Sequence, residues 1–157
     1  MFGLPFLCDL IGFSVLILGV WWIRKFGAIT LIGLVATGIS FALGGGIHFL
    51  GFTVASFFFD FAVRFIGYET SFKKSIFTIL SMMTISIISA ALAGYLIGTF
   101  FMTGSALANW GGVLGWSGLH AIGGIIGGII GTFLVIALQS RRILVNGKTS
   151  WQQGEND

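Results

Sequence analysis

The sequence predicts an all-α integral membrane protein, a bundle of about five transmembrane helices with the N-terminus outside and the C-terminus inside. Three observations carry this. First, 56% of the 157 residues are hydrophobic and only 8% are charged, whereas a soluble domain carries about 25% charged residues. So few charges cannot build a water-facing surface, and the mean hydropathy of +1.03 agrees. Second, apolar stretches recur at the roughly 20 residues that a helix needs to cross a bilayer. Third, Lys and Arg fall only in alternate connections between those stretches.

The first segment, residues 4–23, stops at Arg24 and Lys25. It has no basic start and no small-residue cleavage site, and Cys8 and Asp9 interrupt it early, so it reads as a span and not as a removable signal. Trp21 and Trp22 at its end form the expected interfacial belt. The second segment, 26–43, stops at three consecutive glycines, Gly44, Gly45 and Gly46. The third is 47–67. The fourth, 75–102, is long enough to tilt. The fifth, 119–138, ends before Arg141 and Arg142. Residues 1–138 thus form a transmembrane domain, and 139–157 form a cytoplasmic polar tail.

Basic residues set the orientation, because cytoplasmic connections carry the excess of Lys and Arg. Arg24 and Lys25 lie between spans one and two. Lys73 and Lys74, with Arg64 at the end of span three, lie between spans three and four, and Arg141, Arg142 and Lys148 follow span five. The connections 44–48 and 103–118 carry none. All basic charge falls on one side only if the number of spans is odd; a re-entrant piece within 103–118 would leave the sidedness unchanged. The expected location is the cell membrane, multi-pass, with lipid as the surrounding medium.

Several function classes are excluded. The net charge of +3 comes from basic residues scattered at helix ends, which is no nucleic-acid footprint. Cys8 is alone, so no intrachain disulfide and no cysteine metal cluster can form, and it reads as a small buried hydrophobe. There is no phosphate-binding loop, no Gly-x-Ser-x-Gly, no His-Glu-x-x-His and no acidic cluster for phosphoryl chemistry. The chain is expected not to be an enzyme and to hold no cofactor. Any energy coupling must come from another subunit.

Small residues repeat every fourth position at Ser86, Ala90, Gly94 and Gly98, and again through Gly123, Gly124, Gly127, Gly128 and Gly131. Such faces let helix backbones approach closely, either within the bundle or against a second membrane subunit. Asp60 and Arg64 are four apart and share a helical face. A carboxylate inside a membrane is costly and usually paired, so the two read as an ion pair, a coupling contact or a proton site. Asp9 near the outer end of span one is either wetted by the interface or part of a site. His48, Asn109, Trp110, Trp116 and His120 all belong to the outer end. Each Trp alone reads as an interfacial residue. Together, two imidazoles, an amide and two indoles could stack an aromatic ring and hydrogen-bond its edges. The histidines are too far apart to form a metal motif by spacing.

The stretch from Arg24 through Gly27 and Ala28 to Leu31, the glycine turn at 44–46, and the helix from Phe52 to Tyr68 with Asp60 and Arg64 resemble the substrate-capture subunits (S components) of energy-coupling-factor transporters. The thiamine and pyrimidine-precursor group is the most similar in style. The glycine-rich last helix ending in Arg141 and Arg142 is similar too. The resemblance covers about two thirds of the chain. It implies capture of a vitamin or vitamin precursor from the outer side, with a transmembrane coupling subunit and a pair of cytoplasmic ATPases as partners. That family has six spans with both ends inside, one more than is read here; loss of the first helix would give the present pattern. It often carries a small-residue repeat on its first helix, whereas here Gly12 is followed four positions on by Leu16. A different reading is a non-catalytic accessory subunit of a larger membrane complex such as an oxidase or oxygenase. A small homo-oligomeric channel fits less well, because no polar stripe is available to line a pore.

Overall fold

A computed structural model describes residues 5–72, 75–141, 144–145 and 148–149. Lys73, Lys74, Arg142 and most of the tail read as 139–157 lie outside the described residues. Five long helices dominate: α1 (Pro5–Ile23), α2 (Ala28–Ala42), α3 (Phe49–Ile66), α5 (Ser75–Phe100) and α7 (Gly112–Ser140). Two short helices, α4 (Tyr68–Phe72) and α6 (Gly104–Ala108), sit in the connections. The only strands among the described residues are the two-residue pieces Leu144–Val145 and Lys148–Thr149, which pair antiparallel. The chain is therefore all-helical in its body. Three helices, α3, α5 and α7, are long and apolar enough to cross a membrane, and α1 and α2 offer shorter apolar helices.

The connection 103–118 is not the loop that its glycines and lack of charge suggest. Five of its residues form α6, and α7 begins at Gly112 instead of at 119. Gly111 takes a left-handed φ of 75° to open that helix, a conformation that glycine adopts without steric cost. Val113, Leu114 and Trp116 then continue the apolar run, and a helix satisfies its own backbone where water is scarce.

Helices α1, α3 and α7 run one way, and α2 and α5 run the other. α7 is the wedge of the bundle. A Cβ at Gly124 would lie 2.6 Å from the Ala90 Cβ and 2.7 Å from the Ser86 carbonyl oxygen on α5. On its other side, a Cβ at Gly127 would lie 2.8 Å from the Leu10 carbonyl oxygen on α1, and one at Gly131 would lie 3.1 Å from the Ser14 Cα. The small-residue faces of these two helices are thus used within the chain. Ser14 Oγ donates to the Gly127 carbonyl at 3.1 Å, and Ser117 Oγ donates to the Ala91 carbonyl at 2.7 Å, tying the same three helices. The core between them holds Phe13, Leu16, Ile17, Phe59, Val63 and Val135, all fully buried. α2 packs chiefly on α3 and only lightly on α1. Large apolar side chains such as Leu43, Phe65, Ile76 and Phe133 remain exposed around the outside, more than a water-soluble monomer usually carries.

This arrangement gives the bundle two unlike ends. One carries Arg24, the α1–α2 turn and α4. The other carries Asp9, the 43–48 turn and α6.

Candidate functional site

At the end that bears α6, the helices enclose a cavity of about 810 Å³, within the 300–1,000 Å³ range of small-molecule sites. α1 supplies Asp9 and α7 supplies Trp116 and His120, all buried, at 4%, 8% and 5% exposure. Glycines place them. Because Gly127 lets α1 press against α7, Asp9 reaches His120. Gly94 on α5 leaves room for the imidazole: a Cβ there would lie 2.8 Å from the His120 Cβ and Cδ2. Gly98, one turn on, faces Trp116 at 3.5 Å.

His120 Nδ1 and Asp9 Oδ2 approach to 2.5 Å, an ion-pair contact between two buried side chains. His120 Nε2 and Trp116 Nε1 are buried without a hydrogen-bond partner. Trp116 packs edge-on against His120 at 5.4 Å and against Trp110 at 5.6 Å. Buried polar groups in folded proteins are nearly always paired. Two unpaired ones on residues that line a single cavity therefore single it out as the candidate site. The other buried unpaired side-chain atoms, on Trp21, Ser86 and Ser89, do not line this cavity.

Of the five residues that the sequence brings to this end, His48, Trp116 and His120 line the cavity. Trp110 does not; it buttresses Trp116. Asn109, the exposed residue that follows α6 as its C-cap, does not line the cavity. Asp9, left between wetting and a site role, is buried in the site. Cys8, expected to be buried, is instead exposed and borders the cavity. Among the described residues, no three His, Cys, Asp or Glu side chains are placed to hold a metal ion together.

The other end is organised differently. Asp60 is fully buried on α3. The expected ion pair with Arg64 does not form. Asp60 Oδ2 accepts from the Gly27 amide at 2.8 Å, the Thr30 amide at 3.2 Å and the Thr30 hydroxyl at 3.1 Å. Asp60 Oδ1 accepts from the Tyr68 hydroxyl at 3.0 Å. A carboxylate at a helix N-terminus is favoured by the helix dipole and by its free amides, so Asp60 caps α2 from a neighbouring helix. Gly27 (φ 88°) makes the turn that aims those amides. Arg64 points elsewhere, its guanidinium 5.7 Å from the Phe26 ring centre. Burial, and then the Asp60 charge, push the Tyr68 phenol up to about 12, so it stays a donor. Arg24 pairs with Glu69 at 2.7 Å and ties α4 to the end of α1.

No family model matches the chain, nor does any curated protein or solved structure.

Proposed function

We propose that this protein is the membrane-embedded substrate-binding subunit of an uptake transporter of the energy-coupling-factor type, taking a vitamin or vitamin precursor. The observation that carries the reading is the 810 Å³ cavity lined by the Asp9–His120 pair and by Trp116, with His120 Nε2 and Trp116 Nε1 lacking hydrogen-bond partners. It lies at the end of the bundle whose connections carry no Lys or Arg, which the positive-inside rule makes the outer end. All five long helices span in this reading. α1, with 19 residues, extends roughly 28 Å at 1.5 Å per residue, close to the roughly 30 Å hydrocarbon core. The N-terminus is then outside, and the Asp60 and Arg24 end faces the cytoplasm of a multi-pass cell-membrane protein.

In this role the chain binds and orients. The Trp116 indole offers a flat apolar face and an N–H, and Asp9 and His120 offer an acceptor and a ring nitrogen. Energy would come from partners, a transmembrane coupling subunit with cytoplasmic ATPases.

Native mass spectrometry of gently solubilised protein tests this. The expected result is a bound small molecule that is lost in Trp116→Ala while the protein stays folded. A folded protein that is empty in native membranes, or that carries the same ligand after Trp116→Ala, contradicts it. Copurification with a catalytic membrane protein in place of an ATPase pair would favour the accessory-subunit reading.

A further inference from the structure

The cavity has two chemistries. Its buried polar groups gather at one place, the Asp9–His120 pair and the Trp116 indole, with His120 Nε2 and Trp116 Nε1 lacking partners. Away from them its wall is the gap between α1 and α2, faced by the apolar side chains of Ile11, Val15, Ile32 and Ala36. Ile11 is 63% exposed and Val15 45%, and Ala36 is exposed too. The gap therefore reaches the outer surface of the bundle and is a side opening.

The two helices close only lower down. There a Cβ at Gly19 would lie 2.9 Å from the Ile29 Cδ1 and 3.0 Å from the Ile32 Cδ1. A second cavity, of about 410 Å³, continues from this point past Gly19 and Trp22 to Leu138. Val15 and Ile32 line both cavities. From Asp9 to Trp22 the path along α1 is roughly 20 Å at 1.5 Å per residue, longer than one leaflet of a hydrocarbon core about 30 Å thick.

We propose that this site takes an amphiphile. A compact cationic head sits against Asp9 beside Trp116 and His120, and a flexible apolar chain lies in the α1–α2 gap, entering sideways from the lipid. The inference rests on the reading of this cavity as a ligand site. A wholly apolar molecule would leave His120 Nε2 unpaired, which is costly, whereas a cationic head can donate to it. A side opening toward lipid admits a molecule that carries an apolar chain. A chain gains little by moving from lipid to an apolar groove, because lipid is as apolar as the groove. Affinity should therefore come from the head and position from the gap.

The test uses dodecylamine carrying a photoreactive diazirine on its terminal carbon, with the full chain in phosphatidylcholine nanodiscs. Labelled peptides are mapped by mass spectrometry. The expected result is label concentrated on residues 11–23 and 29–36. It should drop at least tenfold in Asp9→Asn and move away from the gap in Ala36→Trp. Should Ala36→Trp fail to fold, the wild-type map and Asp9→Asn still decide. Label spread evenly over exposed positions such as Phe57, Leu80 and Phe133, and indifferent to Asp9→Asn, overturns the proposal. In that case native mass spectrometry separates the two ideas. A chainless ligand that departs in Asp9→Asn leaves the binding site standing and removes only the amphiphile; no ligand of any kind removes both.

Discussion

Each end of the bundle buries one carboxylate, and the two are treated in opposite ways. Asp60 is surrounded by donors: two backbone amides, a threonine hydroxyl and a tyrosine hydroxyl. It lines neither of the two cavities described. Asp9 meets one imidazole, at 2.5 Å, and lines a cavity of about 810 Å³. A buried carboxylate with four donors is a structural brace. One with a single partner beside an open volume is the candidate binding group. Burial alone does not separate them, since both residues are nearly inaccessible; the count of satisfied bonds does.

Substitutions should break this contrast in a graded way. The largest effect on folding is expected at Asp60→Ala, which strands the amides of Gly27 and Thr30. Hydrogen bonds to charged groups contribute about 1.5–3 kcal/mol each in water, and those between membrane helices average nearer 0.6 kcal/mol. A total loss of about 3 kcal/mol is expected, read as a lower unfolding midpoint in detergent titration. Next comes Gly94→Leu. Its side chain would overlap His120, and overpacking costs about 1–3 kcal/mol. Because the displaced ring belongs to the site, this variant should also lose ligand, seen by native mass spectrometry. The smallest effect is expected at Tyr68→Phe, which removes one hydrogen bond to Asp60. It should lower stability by about 1 kcal/mol and leave ligand occupancy unchanged.

Much of this was legible in the sequence, and the parts that were not have identifiable causes. The five apolar segments correspond to the five long helices, because length and hydropathy are local properties. His48, Trp116 and His120 meet at one cavity, and all three belong to the end whose connections carry no Lys or Arg. Asn109 belongs to the same end, but its distance from the cavity is not legible while 103–118 reads as a loop. The helix starting at Gly112 turns Trp116 and His120 inward and leaves Asn109 at the exposed end of α6. Asp60 and Arg64 do share a helix at a spacing of four. That spacing says nothing of the Gly27 amides, which are brought in by a turn thirty-three positions away. Asp9 stayed ambiguous because its depth depends on how closely α1 can approach α7, and that is set by Gly127 on a distant helix. Pairwise placement of this kind has no local signature.

The most direct test compares Asp9→Asn with Asp60→Asn in one experiment that reads both unfolding midpoint and bound small molecule. The account predicts that Asp9→Asn, which weakens a single contact to His120, loses less stability than Asp60→Asn and comes out empty. It predicts that Asp60→Asn is clearly destabilised and that its folded fraction still carries ligand. An Asp9→Asn protein that retains full occupancy, or an Asp60→Asn protein that is as stable as the parent but empty, would reverse the assignment of the two ends.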